Sequence, residues 1–167
     1  MTTRRNDLAD RIAHADPAGL LYGGIVTAAV LATVSAHAES TEHVAVATLA
    51  VLVLYWLAHV YVKTQTMQYD GDRRAIHRRI GEAARHESSV LKGGIPALTV
   101  YVACALLFDV PRGTAAFVAL DFSVVFLVLV GYLGAHRAGM PGRQALVEAA
   151  GAGLLGALAV LAKVLLH

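Results

Sequence analysis

Between Thr114 and Ala135 the sequence reads TAAFVALDFSVVFLVLVGYLGA, an apolar run broken by one charged residue, Asp121. As an α-helix rising 1.5 Å per residue, a run of this length reaches roughly 30 Å, the thickness of the hydrocarbon core of a bilayer. A soluble helix would alternate apolar and polar residues at the three-to-four spacing of an amphipathic face, whereas here the apolar residues are continuous. The segment is expected to lie in lipid.

Four further blocks share this character. Expected spans cover 18–36, 44–62, 93–110, 114–135 and 148–166, which makes the chain an all-α polytopic membrane protein with five transmembrane helices in a single membrane domain. The composition agrees: 57% of the 167 residues are apolar and 16% charged, against about 25% charged in soluble proteins. The mean hydropathy is +0.59. Asp16 and Pro17 open the first block, the aspartate suited to cap a helix and the proline to its first turn. Pro96, near the start of the third block, is expected to kink that helix or begin it. Tyr55, Trp56 and Tyr61 close the second block near Lys63, as a membrane interface favours.

Orientation follows from the basic residues. Of fourteen lysines and arginines, all but Arg112 and Lys163 fall in the N-terminal segment, in the 64–92 connection with Lys63 at its edge, or after the fourth block at Arg137 and Arg143. The positive-inside rule then places the N-terminus and both basic loops in the cytoplasm, the C-terminus and the Glu39/Glu42 loop outside, and the chain in the cell (inner) membrane. The first residues, with Arg4, Arg5 and Arg11 balanced by Asp7, Asp10 and Asp16, lack a clean small-residue cleavage site and are expected to be retained. The net charge of +2 does not point to nucleic acid, because the basic residues lie between apolar blocks.

The 64–92 connection is too long and too charged for a turn. Ile76, Ile80, Ala83, Ala84 and Val90 recur at near-helical spacing among Arg73, Arg74, Arg78, Arg79 and Arg85, predicting a cytoplasmic amphipathic helix that either contacts anionic headgroups or senses a ligand. Small residues four apart, Gly24, Ala28 and Ala32 in the first span and Ala149, Gly153 and Ala157 in the fifth, mark expected helix contacts.

Asp121 is the first candidate for chemistry, since a carboxylate in hydrocarbon is costly unless paired, protonated or facing water. Lys163 is expected at a similar depth, so the two could form a structural ion pair, the lysine could simply snorkel to the interface, or both could belong to an ion or proton pathway. His59 shares a helix face with Tyr55 and could relay protons or bind a metal, or simply anchor at the interface. Glu82, His86 and Glu87 are close enough in sequence to help hold a divalent ion, although exposed pairs of this kind are usually solvated. Cys104 stands alone in an apolar block, which leaves no intrachain disulfide. There is no HExxH pair, GxSxG elbow or phosphate-cradling glycine loop, and an enzyme is not expected.

The segment Leu21-Tyr22-Gly23-Gly24-Ile25-Val26-Thr27 resembles the first-helix Asp-Gly-Ile/Leu-Val-Thr/Ser pattern of the vacuolar iron transporter family of divalent-metal/proton exchangers. Gly94-Ile95-Pro96, Gly131-Tyr132-Leu133-Gly134 and the closing Gly156 to Leu165 segment with Lys163 share the likeness, as do the order of five spans and the long charged connection after the second. The resemblance implies a homodimer that moves a divalent metal ion against protons. The chain departs from it at Gly23, where the family has its aspartate, at Tyr55, Trp56 and His59, where the family has a methionine and glutamate pattern, and in having only Glu82 and Glu87 in the connection. The sequence thus suggests a transporter-like membrane protein that moves or senses divalent cations or protons. A non-transporting scaffold or subunit of a larger complex is the alternative.

Overall fold

The computed structural model describes residues 16–165, and these form six α-helices with no strand among them. They are α1 (Pro17–His37), α2 (Thr41–Tyr69), α3 (Ile76–His86), α4 (Ser88–Leu107), α5 (Arg112–Arg137) and α6 (Gly142–Leu165). All but α3 are long and apolar enough to cross a membrane. The basic N-terminal segment and the expected end of the fifth span at Leu166 lie outside the described residues.

The surface is inverted relative to a soluble protein. Leu54, Leu107, Val125, Leu154 and Leu158 are each half or more exposed, far beyond the scattered apolar residues a soluble monomer shows. The interior is built from small side chains instead, including Ala28, Ala32, Ala115, Ala116, Ala119 and Ala159. Between helices in lipid there is little hydrophobic drive, so close van der Waals packing takes its place. That packing centres on α1, which contacts each of the other four spans.

The closest approach joins α1 to α4. A Cβ on Gly93 would fall on the carbonyl of Leu20, one on Gly23 on the carbonyl of Val90, and one on Gly19 on the Ser89 side chain. From Gly19 at Ser89, through Gly23 at Val90, to Thr27 at Gly94 the contacts rise along both helices, so α1 and α4 run parallel; Gly24 against Leu127 and Gly134 against Pro17 show α5 running the opposite way. The end of the bundle that carries α3 therefore also holds the start of α1, and the far end holds its finish.

Local chemistry sets the helix ends. Asp16 caps α1, its carboxylate accepting from the Ala18 and Gly19 N–H groups at 3.1 and 3.3 Å, with Pro17 in the first turn, as the sequence suggested. Ser40 caps α2 by accepting from the His43 N–H at 3.1 Å. The third span ends at Leu107, three residues early, because Asp109 turns left-handed at φ 51° before Pro111. It also begins at Ser88, so Pro96 sits inside the helix and does not start it. α6 opens at Gly142, ahead of the expected 148, because hydropathy detects the apolar part of a helix and not its polar first turns.

The 64–92 connection is not one helix. Residues through Tyr69 extend α2, those from Ser88 belong to α4, and only α3 stands apart. Arg74 organises the intervening loop: its guanidinium grips Asp72 in a bidentate pair, closest at 2.6 Å, and reaches Glu82 at 2.9 Å. Arg79, buried, donates to Gln68 Oε1 at 3.3 Å and ties α3 to α2.

The Arg74 guanidinium beside Asp72 pulls that carboxyl down to a pKa of about 2 and is itself held above its ordinary range. Because the folded value lies below the unfolded one, the contribution of this clamp is complete above about pH 4 and is lost as pH falls through about 2. Amide exchange in the loop should therefore quicken near pH 2, and Arg74→Gln should move that transition up toward pH 4.

Candidate functional site

α1 and α2 bring together three side chains that the sequence kept apart. His59 lies half-buried on α2, with the Tyr55 ring centred 4.5 Å away one turn earlier and the Tyr22 ring of α1 at 5.7 Å. Tyr55 and His59 share a face because residues four apart on a helix do. Tyr22 arrives through the antiparallel packing of α1 on α2, near the end of the bundle that carries α3.

His59 Nδ1 stands 3.1 Å from the Tyr55 carbonyl oxygen. A carbonyl only accepts, so in this bond Nδ1 carries the hydrogen and donates it, and the neutral ring keeps its lone pair on Nε2. An imidazole in that tautomer, flanked by two phenols, can take up a proton or offer one nitrogen to a metal ion. Trp56 Nε1, on the same helix, is buried without a hydrogen-bond partner among the described residues, as is Thr27 Oγ1 on α1.

Asp121 and Lys163 do not meet. Lys163 is fully buried at the far end, where Nζ donates to Ser35 Oγ at 2.8 Å and sits 5.1 Å from the centre of the Phe117 ring. The Ser35 hydroxyl in turn donates to the Leu31 carbonyl. Asp121, one turn beyond Phe117 on α5, is exposed among Val118, Phe122 and Val125. Among the described residues the ion pairs are Arg74–Asp72, Arg74–Glu82 and His86–Glu87, so the expected Asp121–Lys163 pair is absent. Equal depth did not suffice: helix rotation turns Lys163 inward and Asp121 outward.

Glu82, His86 and Glu87 do not assemble a metal site either. Glu82 is held by Arg74, His86 Nδ1 pairs with Glu87 at 3.2 Å, and no cluster of three His, Cys, Asp or Glu able to hold a metal occurs among the described residues. An open groove of about 630 Å³ between α1, α5 and α6, lined by Leu21, Ile25, Gly131, Ala152 and Glu148, is bordered by neither His59 nor Asp121.

The sequence singled out Tyr55 and His59 but passed over Tyr22, which stands inside an apolar motif with nothing around it to mark it. No known family, curated protein or solved structure matches the chain.

Proposed function

We propose that this chain is a small polytopic protein of transporter-like architecture that binds, and moves or senses, a proton or divalent cation at His59. The observation that supports this reading is the His59–Tyr55–Tyr22 cluster. Two helices supply an imidazole and two phenols within the membrane, where polar groups are expensive and are kept for function. In this reading His59 Nε2 is the proton-carrying or ligating atom, and the two tyrosine rings flank the imidazole. The protein lies in the cell membrane with the arginine-rich α3 end in the cytoplasm and works as a homodimer.

The resemblance to vacuolar iron transporters contributes architecture and not a metal site. Where that family has its first-helix aspartate stands Gly23, whose missing Cβ makes room for the Val90 carbonyl. A side chain there would part α1 from α4.

One observation favours a second reading, a non-transporting membrane subunit: Asp121 is exposed on the outward face of α5, positioned for another chain.

Binding separates the two. In detergent, a divalent ion that binds His59 should raise the melting temperature, by an amount corresponding to about 2.7 kcal/mol when its concentration is a hundred times Kd. His59→Gln should erase the shift, Tyr22→Phe should reduce it, and proteoliposomes carrying a pH dye should show flux that His59→Gln stops. A chain with neither a melting shift across a panel of divalent ions nor any pH-dye response would overturn the cation reading and leave the subunit.

A further inference from the structure

α3 is tethered at both ends to helices long and apolar enough to span a membrane. Residues 70–75 tie it to the end of one span and Glu87 alone joins it to the start of another. One flank packs on the bundle through Ala83 and Arg79, both buried. The next flank carries Ile76 and Ile80, which are 58% and 44% exposed although they lie outside every span. Arg78 and Arg85 project from the opposite flank, and Arg73 precedes the helix, all three exposed.

Charge pairing sharpens this picture. Arg74 engages Asp72 and Glu82, and Glu87 sits with His86, which accounts for three of the four acids in the connection. The fourth, Asp70, ends α2. Arg73, Arg78 and Arg85 make no ion pair among the described residues. The acids are thus spent on fixing the loop while these guanidiniums stay available. An exposed apolar flank with unpaired arginines across the helix from it, on a segment joined at both ends to helices able to span a membrane, matches the edge of an anionic leaflet, where acyl chains take the isoleucines and the long arginine side chains reach out to the phosphates.

We infer that α3 is an interfacial helix that binds anionic phospholipid headgroups through Arg73, Arg78 and Arg85, with Ile76 and Ile80 seated at the acyl boundary. This holds whether or not His59 binds a cation.

The test is amide hydrogen exchange of the full chain in nanodiscs of phosphatidylcholine alone or with about one third phosphatidylglycerol. Each arginine near an anionic surface contributes about a fivefold factor, so exchange across 76–86 should slow at least about tenfold in the anionic discs. The gain should shrink at high salt, where screening shortens to about 3 Å near 1 M. Replacing Arg73, Arg78 and Arg85 together by glutamine should remove the difference between the discs. Ile76→Ser with Ile80→Ser should speed exchange in both. Unchanged exchange in α1 and α4 establishes that the variants fold, since none of these side chains touches the α1–α4 contact. Equal exchange of α3 in the two lipid compositions, or a lipid response that survives the triple glutamine variant, would overturn the inference.

Discussion

Replacing Gly93 by valine should prevent the bundle from assembling, seen as loss of a cooperative thermal transition and of a monodisperse peak in detergent. A Cβ at Gly93 lands on the carbonyl oxygen, carbonyl carbon and Cα of Leu20. These are backbone atoms, which cannot swing aside, so α1 and α4 must separate. Separation also unseats Gly23 from Val90 and Gly19 from Ser89, and little hydrophobic force in lipid restores the contact. Overpacking a core typically costs about 1–3 kcal/mol; with backbone as the obstacle, about 3 kcal/mol is the lower bound. Gly23→Ala should behave alike. Gly81→Ala is the contrast: nothing lies within 4 Å of its Cβ position on α3, and removing a helix-interior glycine should gain about 0.5–1 kcal/mol. A Gly93→Val protein that melts like the original would show that the two helices do not approach this closely.

Asp121→Leu should make the isolated chain more stable and its self-association weaker. Asp121 lies nine residues into α5 on an exposed apolar face with Val118 and Val125. An aspartate at such a depth costs about 2.5–3.5 kcal/mol by insertion scales, and leucine removes that cost. If a second copy covers this face, the carboxyl is part of the seam, and its loss should weaken dimerisation at least about tenfold, or about 1.4 kcal/mol. Asp121→Asn, which keeps a hydrogen-bonding amide, should fall between. Forster transfer between labelled copies in liposomes reads the association, and denaturant titration reads the stability. Association unchanged in Asp121→Leu would mean that the face meets lipid alone. Cation binding at His59 should be unaffected, since Asp121 belongs to a different helix and lies exposed.

Much of the candidate site was legible one helix at a time. Tyr55 and His59 fall on one face by spacing alone, and a histidine within an apolar block draws attention because lipid offers it so little. Tyr22 was hidden because nothing in its own neighbourhood distinguishes it; only the docking of α1 on α2 gives it a role. The small-residue stripes show the same division. Gly24, Ala28 and Ala32 are buried as their spacing suggested, but on α6 Ala157 is exposed while Gly156 and Ala159 are buried. A strict four-residue step drifts around a helix of 3.6 residues per turn, so such a stripe stays buried on α1, which contacts all four other spans, but runs out of its contact face on α6.

The sequence by itself determined that five segments of this chain suit hydrocarbon, where helix α1 is capped, and which few ionisable groups lie within those segments. Those are sums and patterns over about twenty neighbouring residues, and a bilayer responds to them one helix at a time. The tertiary structure decided the rest: that Lys163 turns to Ser35 across 128 residues of chain and not to Asp121, that Gly93 meets the backbone of Leu20, and that Tyr22 reaches His59. Each depends on how far a helix is rotated about its axis when it packs. Small residues allow close approach along the helices, and that approach, which no single segment encodes, fixes the rotation.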